Sequence, residues 1–230
     1  MNIHQIDFHC HTGSDLRELL SFARDTRRAV VGVTETFYGE NGPENALSVD
    51  DFLCLRAELD ECKREFSDLA LFFAPELAPG VRADELDGQL AAASDYFLCI
   101  PAEGNGDDQT AFLISQLERA AEVSCRTGKP AVLAYAFQTL LAGRVQSGRR
   151  APARYAGRDS LTDEQVQSAL GLDLEAVADA AVRLEVPLEI CGETYIGLRS
   201  YNHPYYLDVW VKAFEILRRG GVSFVPGSGL

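Results

Sequence analysis

Asp7-Phe8-His9-Cys10-His11-Thr12 closes the first of seven short apolar, β-prone runs in this chain of 230 residues. Side chains alternate across a strand, so Asp7, His9 and His11 are expected on one face and Phe8 and Cys10 on the other. Working outward from this stretch, the runs are Ile3 to His9, Ala29 to Thr34, Leu69 to Ala74, Tyr96 to Ile100, Ala131 to Tyr135, Val186 to Ile190 and Val222 to Val225. Helical patterns separate them. One opens at Asp15, with Glu18 three residues later as in a capping box and with Leu16, Leu19, Leu20 and Phe22 along one side. Others run Val49 to Phe66, Ala83 to Ala93, Gln109 to Arg126, Asp173 to Leu184 and Tyr205 to Arg219. Strands that alternate with helices imply right-handed βαβ crossovers and a parallel sheet. Periodicity leaves a barrel and a wound open sheet both standing, and in either one functional groups gather at the carboxyl ends of the strands.

Composition narrows the function classes. With 47% hydrophobic and 24% charged residues, the chain can bury a sizeable core, and one domain over residues 1–230 is expected. A net charge of −14 repels a phosphate backbone, which argues against a nucleic-acid grip. No stretch approaches the roughly 18 apolar residues of a membrane span, so neither a membrane partner nor a location outside the cytoplasm is expected. The six cysteines lie far apart without C-x-x-C pairing, the pattern of free thiols in a reducing compartment. One segment runs against the acidic balance. Arg144, Arg149, Arg150, Arg154 and Arg158 crowd a Gly/Pro/Ala-rich stretch that reads either as a solvated linker or as an anion-binding lid.

Two imidazoles on one strand face can grip a single cation. Neutral imidazole suits zinc and iron and, with carboxylates added, manganese. Asp7 stands where a second acceptor could fix a histidine tautomer.

The Asp-x-His-x-His-Thr pattern at the end of a first strand resembles the opening motif of the PHP (polymerase and histidinol phosphatase) superfamily, closest to its histidinol-phosphatase-like branch. Later segments are similar in order: Val31-Gly32-Val33-Thr34-Glu35-Thr36, Ala74-Pro75-Glu76-Leu77, Asp95-Tyr96-Phe97-Leu98, the run from Ala131 to Phe137, Leu188-Glu189-Ile190 with Gly197-Leu198-Arg199, and Phe224-Val225-Pro226-Gly227-Ser228. The resemblance implies a distorted (β/α)7 barrel of mainly parallel strands and hydrolysis of phosphate esters by clustered divalent ions. It assigns His9, His11 and Glu76 as metal ligands, Glu76 as the bridging carboxylate. Elsewhere the pattern departs. Thr36, Ala102 and Tyr135 stand where the family has histidines, and Gly229-Leu230 where it has Asp-x-His, so at most about one zinc, manganese or iron ion per chain is expected.

Glu35 and Glu103 adjoin two of the lost positions and are candidate replacement ligands, with ordinary loop acids as the competing reading. Glu189 and Cys191 share a strand face that can point inward. Arg199, in the segment after the sixth strand, reads either as a bidentate contact to a phosphate or carboxylate or as a surface ion pair. Tyr201-Asn202-His203-Pro204-Tyr205-Tyr206 reads as a pocket lining or as the proline-led start of a helix, and His4 as structural or exposed. Two functions follow: a metal-dependent phosphoesterase of the small-phosphomonoester class with weak or absent activity, or a non-catalytic barrel that binds a ligand or partner. A small anionic molecule is the expected partner in the first; oligomeric state is not fixed by either.

Overall fold

The computed structural model describes residues 5–13, 15–39, 42–102, 108–138, 141, 155–200 and 204–229, without the side chains of Tyr195, Arg199 and Ser200. His4, Glu103, Arg144, Arg149, Arg150, Arg154, Tyr201, Asn202, His203 and Leu230 therefore lie outside the described residues, as does the side chain of Arg199.

Among the described residues seven strands form, one in each of the apolar runs: β1 (Ile6–His11), β2 (Val30–Phe37), β3 (Ala70–Leu77), β4 (Phe97–Cys99), β5 (Ala131–Leu133), β6 (Leu188–Cys191) and β7 (Phe224–Gly227). They pair in sequence order and every pairing is parallel. That order selects the barrel over the wound sheet, because the last strand returns beside the first. The Gly229 N–H donates to the His9 carbonyl at 3.0 Å, and the Ser228 hydroxyl donates to the same oxygen at 3.0 Å. The barrel is nearly closed.

Helices pack around it where local signals start and stop them. In α1 (Leu16–Asp25) the Asp15 side chain accepts from the N–H groups of Arg17 and Glu18. In α2 (Val49–Glu65) Ser48 and Asp51 make a full capping box. The expected helix from Ala83 to Ala93 is broken in two, a 3-10 turn over Ala83–Glu85 followed by α3 (Gly88–Ala93). The cause is Asp87, whose side chain accepts from Gln89 N and starts a new helix there. After α4 (Gln109–Thr127), which ends on Gly128 at φ +66°, comes α5 (Asp163–Leu170), which the apolar pattern did not reveal. Its signal was nevertheless present, a Thr162–Gln165 capping box and a left-handed Gly171. The outer layer is completed by α6 (Leu174–Arg183), α7 (Gly192–Ser200) and α8 (Pro204–Arg219). Arg199 thus belongs to a helix. On α1 the buried face is Leu16, Leu20 and Ala23, and Phe22 is left 61% exposed.

Two apolar cores result. The large one fills the space between strands and helices, with Leu20, Phe52, Phe73, Phe97, Leu117 and Leu217 among its buried members. The small one fills the barrel interior with Ala74, Tyr96, Leu98, Val132 and Ala134, against which Phe8 packs. This corrects the simple alternation expected of β1. The register slips between Asp7 and Cys10, a bulge that admits both Phe8 and His9 to the inner side and leaves Cys10 in the outer core. Asp7 keeps company with the outer side, where its carboxylate accepts from Ser228 N at 2.8 Å and His9 N at 3.3 Å and lies 3.6 Å from Arg28.

The bulge needs space on β2, and Gly32 supplies it. A Cβ there would overlap the Tyr96 hydroxyl, which donates to the Phe8 carbonyl, and would sit 2.7 Å from that carbonyl oxygen and 2.8 Å from Phe8 Cα. Gly32→Ala should therefore cost about 1–3 kcal/mol in urea unfolding, the range for overpacking a core. Adding Tyr96→Phe should not restore it, because the clash with the Phe8 backbone remains. A Gly32→Ala protein as stable as the parent would contradict this packing.

Candidate metal centre

Polar side chains occupy the carboxyl ends of the strands, directly above the inner apolar plug. His9 and Glu76 are buried there, and His11 is half-buried at the rim. Parallel pairing sets Thr36 of β2 opposite Glu76 of β3, so neighbouring strands deliver their functional groups at one level. His9 Nε2 lies 3.1 Å from Glu76 Oε1 and 3.3 Å from His11 Nε2, and His11 Nε2 lies 3.7 Å from Glu76 Oε2. One ligand atom from each of the three residues falls within 4.8 Å of the others. Bonds of about 2.1 Å to a single ion place adjacent ligand atoms about 3.0–3.4 Å apart in octahedral to tetrahedral geometry. The donor set fits one cation, and Glu76 divides its two oxygens between the two imidazoles.

Each donor is held by a second group. His9 Nδ1 faces Glu189 Oε1 at 2.7 Å, an arrangement that aims Nε2 at Glu76 and His11. The acceptor at the His9 ring is thus Glu189, on β6, and Asp7 is occupied with backbone N–H groups instead. The other Glu189 oxygen accepts from the Tyr135 N–H at 3.2 Å. Thr36 donates its hydroxyl to Glu76 Oε2 at 2.7 Å. Glu35 lies 3.6 Å from His11 Nδ1, on the ring nitrogen that does not face Glu76, and its Oε1 accepts from both the N–H and the hydroxyl of Thr12. That is the place of a group that orients His11.

Burial and charge act on this cluster in opposite directions. Burial alone disfavours an imidazolium at His9, but Glu189 and Glu76 outweigh it and push the pKa up to about 10. Burial would raise the Glu76 pKa, yet His9 and the Thr36 hydroxyl hold it below the usual carboxylate range. Glu35 is likewise held low by His11 and Thr12 against the effect of burial. Cys191 goes the other way, pushed up to about 12 by burial and by Glu189, which makes it a poor nucleophile at neutral pH.

Gly227, at the end of β7, keeps this space open. A Cβ on Gly227 would overlap Glu189 Oε1 and lie 2.6 Å from His9 Cβ. Beside His11 an open cavity of about 330 Å³ is lined by Thr12, Gly13, Asp15, Glu18, Leu19 and Phe22. Among the described residues its lining holds two carboxylates and no Lys or Arg.

No family model matches the chain, and no curated protein does. Among solved structures, the histidinol phosphate phosphatase of Lactococcus lactis subsp. lactis, in complex with zinc, L-histidinol and phosphate, superposes with a TM-score of 0.61. The alignment covers 98% of this chain and 85% of that one at 13% identity. This is a PHP-like (β/α)7 barrel. The phospho-2-dehydro-3-deoxyheptonate aldolase of Thermotoga maritima aligns more loosely, at a TM-score of 0.41 and 15% identity over 97% of this chain and 60% of its own. Among the described residues no helix is long and apolar enough to cross a membrane.

Sequence reading placed His9, His11 and Glu76 in one group and left Glu189, Thr36 and Tyr135 outside it. The signal for Glu189 was a lone acid inside the apolar run Leu188-Glu189-Ile190, where only a buried partner can justify a carboxylate. Glu189→Ala should strand the His9 ring and the Tyr135 N–H, at a cost of about 1–3 kcal/mol in denaturant unfolding. The same change should weaken metal binding by about 10–100-fold, the usual effect of removing a group that orients a ligand. Unchanged stability and unchanged metal affinity would rule out this role.

Proposed function

We propose that the chain is a metal-dependent phosphoesterase-like protein of the small-phosphomonoester class whose site is reduced to one cation, with hydrolysis weak or absent. The observation that carries the reading is the spacing of 3.1 and 3.3 Å from His9 Nε2 to Glu76 and His11, with the opposite nitrogen of His9 held by Glu189. His9, His11 and Glu76 would hold the ion, which in such sites polarises a phosphoryl oxygen and lowers the pKa of a bound water. Zinc, manganese and iron all suit two imidazoles and a carboxylate. The superposition on a phosphatase solved with zinc supports the choice of chemistry at the level of fold.

Charge supports the reduced activity. A phosphomonoester brings about two negative charges, and the cavity beside His11 offers it Asp15 and Glu18. At two positions where the family resemblance implies further ligands, Thr36 spends its hydroxyl on Glu76 and Tyr135 offers a phenol. The remaining candidate replacement, Glu103, lies outside the described residues, as do Arg144, Arg149, Arg150, Arg154 and the side chain of Arg199, and Arg158 stands in an exposed 3-10 turn, Arg158–Ser160. Losing one well-placed electrostatic contact costs ~10²–10³ in rate, so a site short of most of a cluster should be slower by far more.

Purified protein reconstituted with zinc, manganese or iron should bind at most about one equivalent by elemental analysis, and a His9→Ala, His11→Ala double variant should bind none. Phosphate release from histidinol phosphate or an aryl phosphate should stay near that of the double variant. Two or three bound equivalents, or robust turnover that the double variant lacks, would overturn the reduced-site reading. A cation that binds without turnover, with a thermal shift on adding small carboxylates or phosphates, would favour the ligand-binding alternative.

A further inference from the structure

Tyr135 is the group near the cluster that the reading above leaves without a role. It lies two residues beyond β5 with a backbone φ of +51°, a left-handed conformation that an aromatic residue seldom adopts. The conformation persists because its N–H is captured by Glu189, the same carboxylate that orients the His9 ring. The consequence is that the side chain enters the cluster. Its ring meets the His9 ring edge-on with centroids 5.2 Å apart, and its hydroxyl oxygen lies 3.4 Å from His9 Nε2. The far side of that oxygen is kept clear by Gly229, where a Cβ would stand 3.0 Å from it.

A separation of 3.4 Å is long for a hydrogen bond from a hydroxyl, whose preferred range is about 2.5–3.0 Å. It is an ordinary edge of a coordination sphere. His9 Nε2 then has three neighbours at nearly equal distances: Glu76 Oε1 at 3.1 Å, His11 Nε2 at 3.3 Å and the Tyr135 oxygen at 3.4 Å. A tetrahedron with bonds of about 2.1 Å to its centre has edges of about 3.4 Å. We propose that the Tyr135 oxygen is the fourth protein ligand of the cation, giving a site of two imidazoles, one carboxylate and one phenolate. Binding releases the phenol proton to solvent and forms one metal–oxygen bond, and no electron is transferred. A phenolate is a hard anionic donor, so the set favours ferric iron over the zinc that two imidazoles and a carboxylate would accept equally well.

This inference rests on the cation site proposed above, and its test separates the two. The full chain is loaded with ferric citrate, freed of excess iron, and examined by elemental analysis, visible absorption and resonance Raman spectroscopy. About one bound iron with a visible phenolate-to-iron charge-transfer band and tyrosinate ring modes is the expected result. Tyr135→Phe should still bind zinc at His9, His11 and Glu76, with the ferric band gone and iron affinity lower by at least ~10-fold. Iron bound at one equivalent by the parent without such a band would overturn the Tyr135 ligand and leave the three-residue site intact. A band that survives in Tyr135→Phe would overturn it as well, by assigning the phenolate to another tyrosine. Absence of bound metal in parent and in the His9→Ala, His11→Ala variant alike would remove both proposals. If Tyr135→Phe fails to fold, Tyr135→His takes its place: iron still bound with the tyrosinate modes gone is the expected result, and modes that persist would overturn the assignment to Tyr135.

Discussion

One carboxylate ties the barrel end together. Glu189, on β6, spends Oε1 on the His9 ring of β1 and Oε2 on the backbone of Tyr135 beyond β5. It therefore connects three segments remote in sequence, in a place where an unpaired carboxylate would be costly. Its satisfaction is mutual, because the His9 ring would otherwise bury a nitrogen without a partner. The rest of the site follows from this arrangement. With Nδ1 engaged, Nε2 is aimed at Glu76 and His11. With the Tyr135 N–H engaged, a tyrosine is kept in left-handed backbone and its phenol points among the same donors.

Beneath that polar layer the barrel is plugged by small and aromatic side chains, and the plug determines how closely the strands approach. Phe8 and Tyr96 meet edge to face with centroids 5.7 Å apart, over the bare Cα of Gly32. The bulge in β1 makes this arrangement compatible with an inward His9, since a regular strand could not send consecutive residues to the same side. A local irregularity of one residue thus reconciles a packed interior with a site at its end. Gly227 of β7 plays a comparable part at the rim, where any larger side chain would meet Glu189 or His9.

The electrostatics of the cluster favour a cation. Glu76, Glu35 and Glu189 surround two imidazoles within a strongly acidic chain, and in the absence of metal the proton on His9 serves as the local positive charge. An ion at the same position would replace that proton and meet the same carboxylates. The lining of the adjacent cavity, with Asp15 and Glu18, gives little to welcome a phosphate.

The amino-acid sequence by itself determined the seven strands, their parallel alternation with helices, and the grouping of His9, His11 and Glu76 at strand ends. These are legible because apolar runs and capping residues act over a few neighbours, and because a parallel sheet gathers strand ends on one side whatever their order. Only the tertiary structure decided between barrel and open sheet, since that depends on β7 returning to β1 and on no local pattern. It also decided that Glu189 rather than Asp7 orients His9. The alternation rule placed Asp7 beside the histidines, but the bulge turned it outward, and a slip of register leaves no mark in hydrophobic periodicity. Thr36 and Tyr135 stand where the resemblance implies histidines, and residue type alone does not tell what they touch. Their hydroxyls enter the cluster through backbone geometry and through pairing with residues many positions away, and that information exists only once the chain is folded.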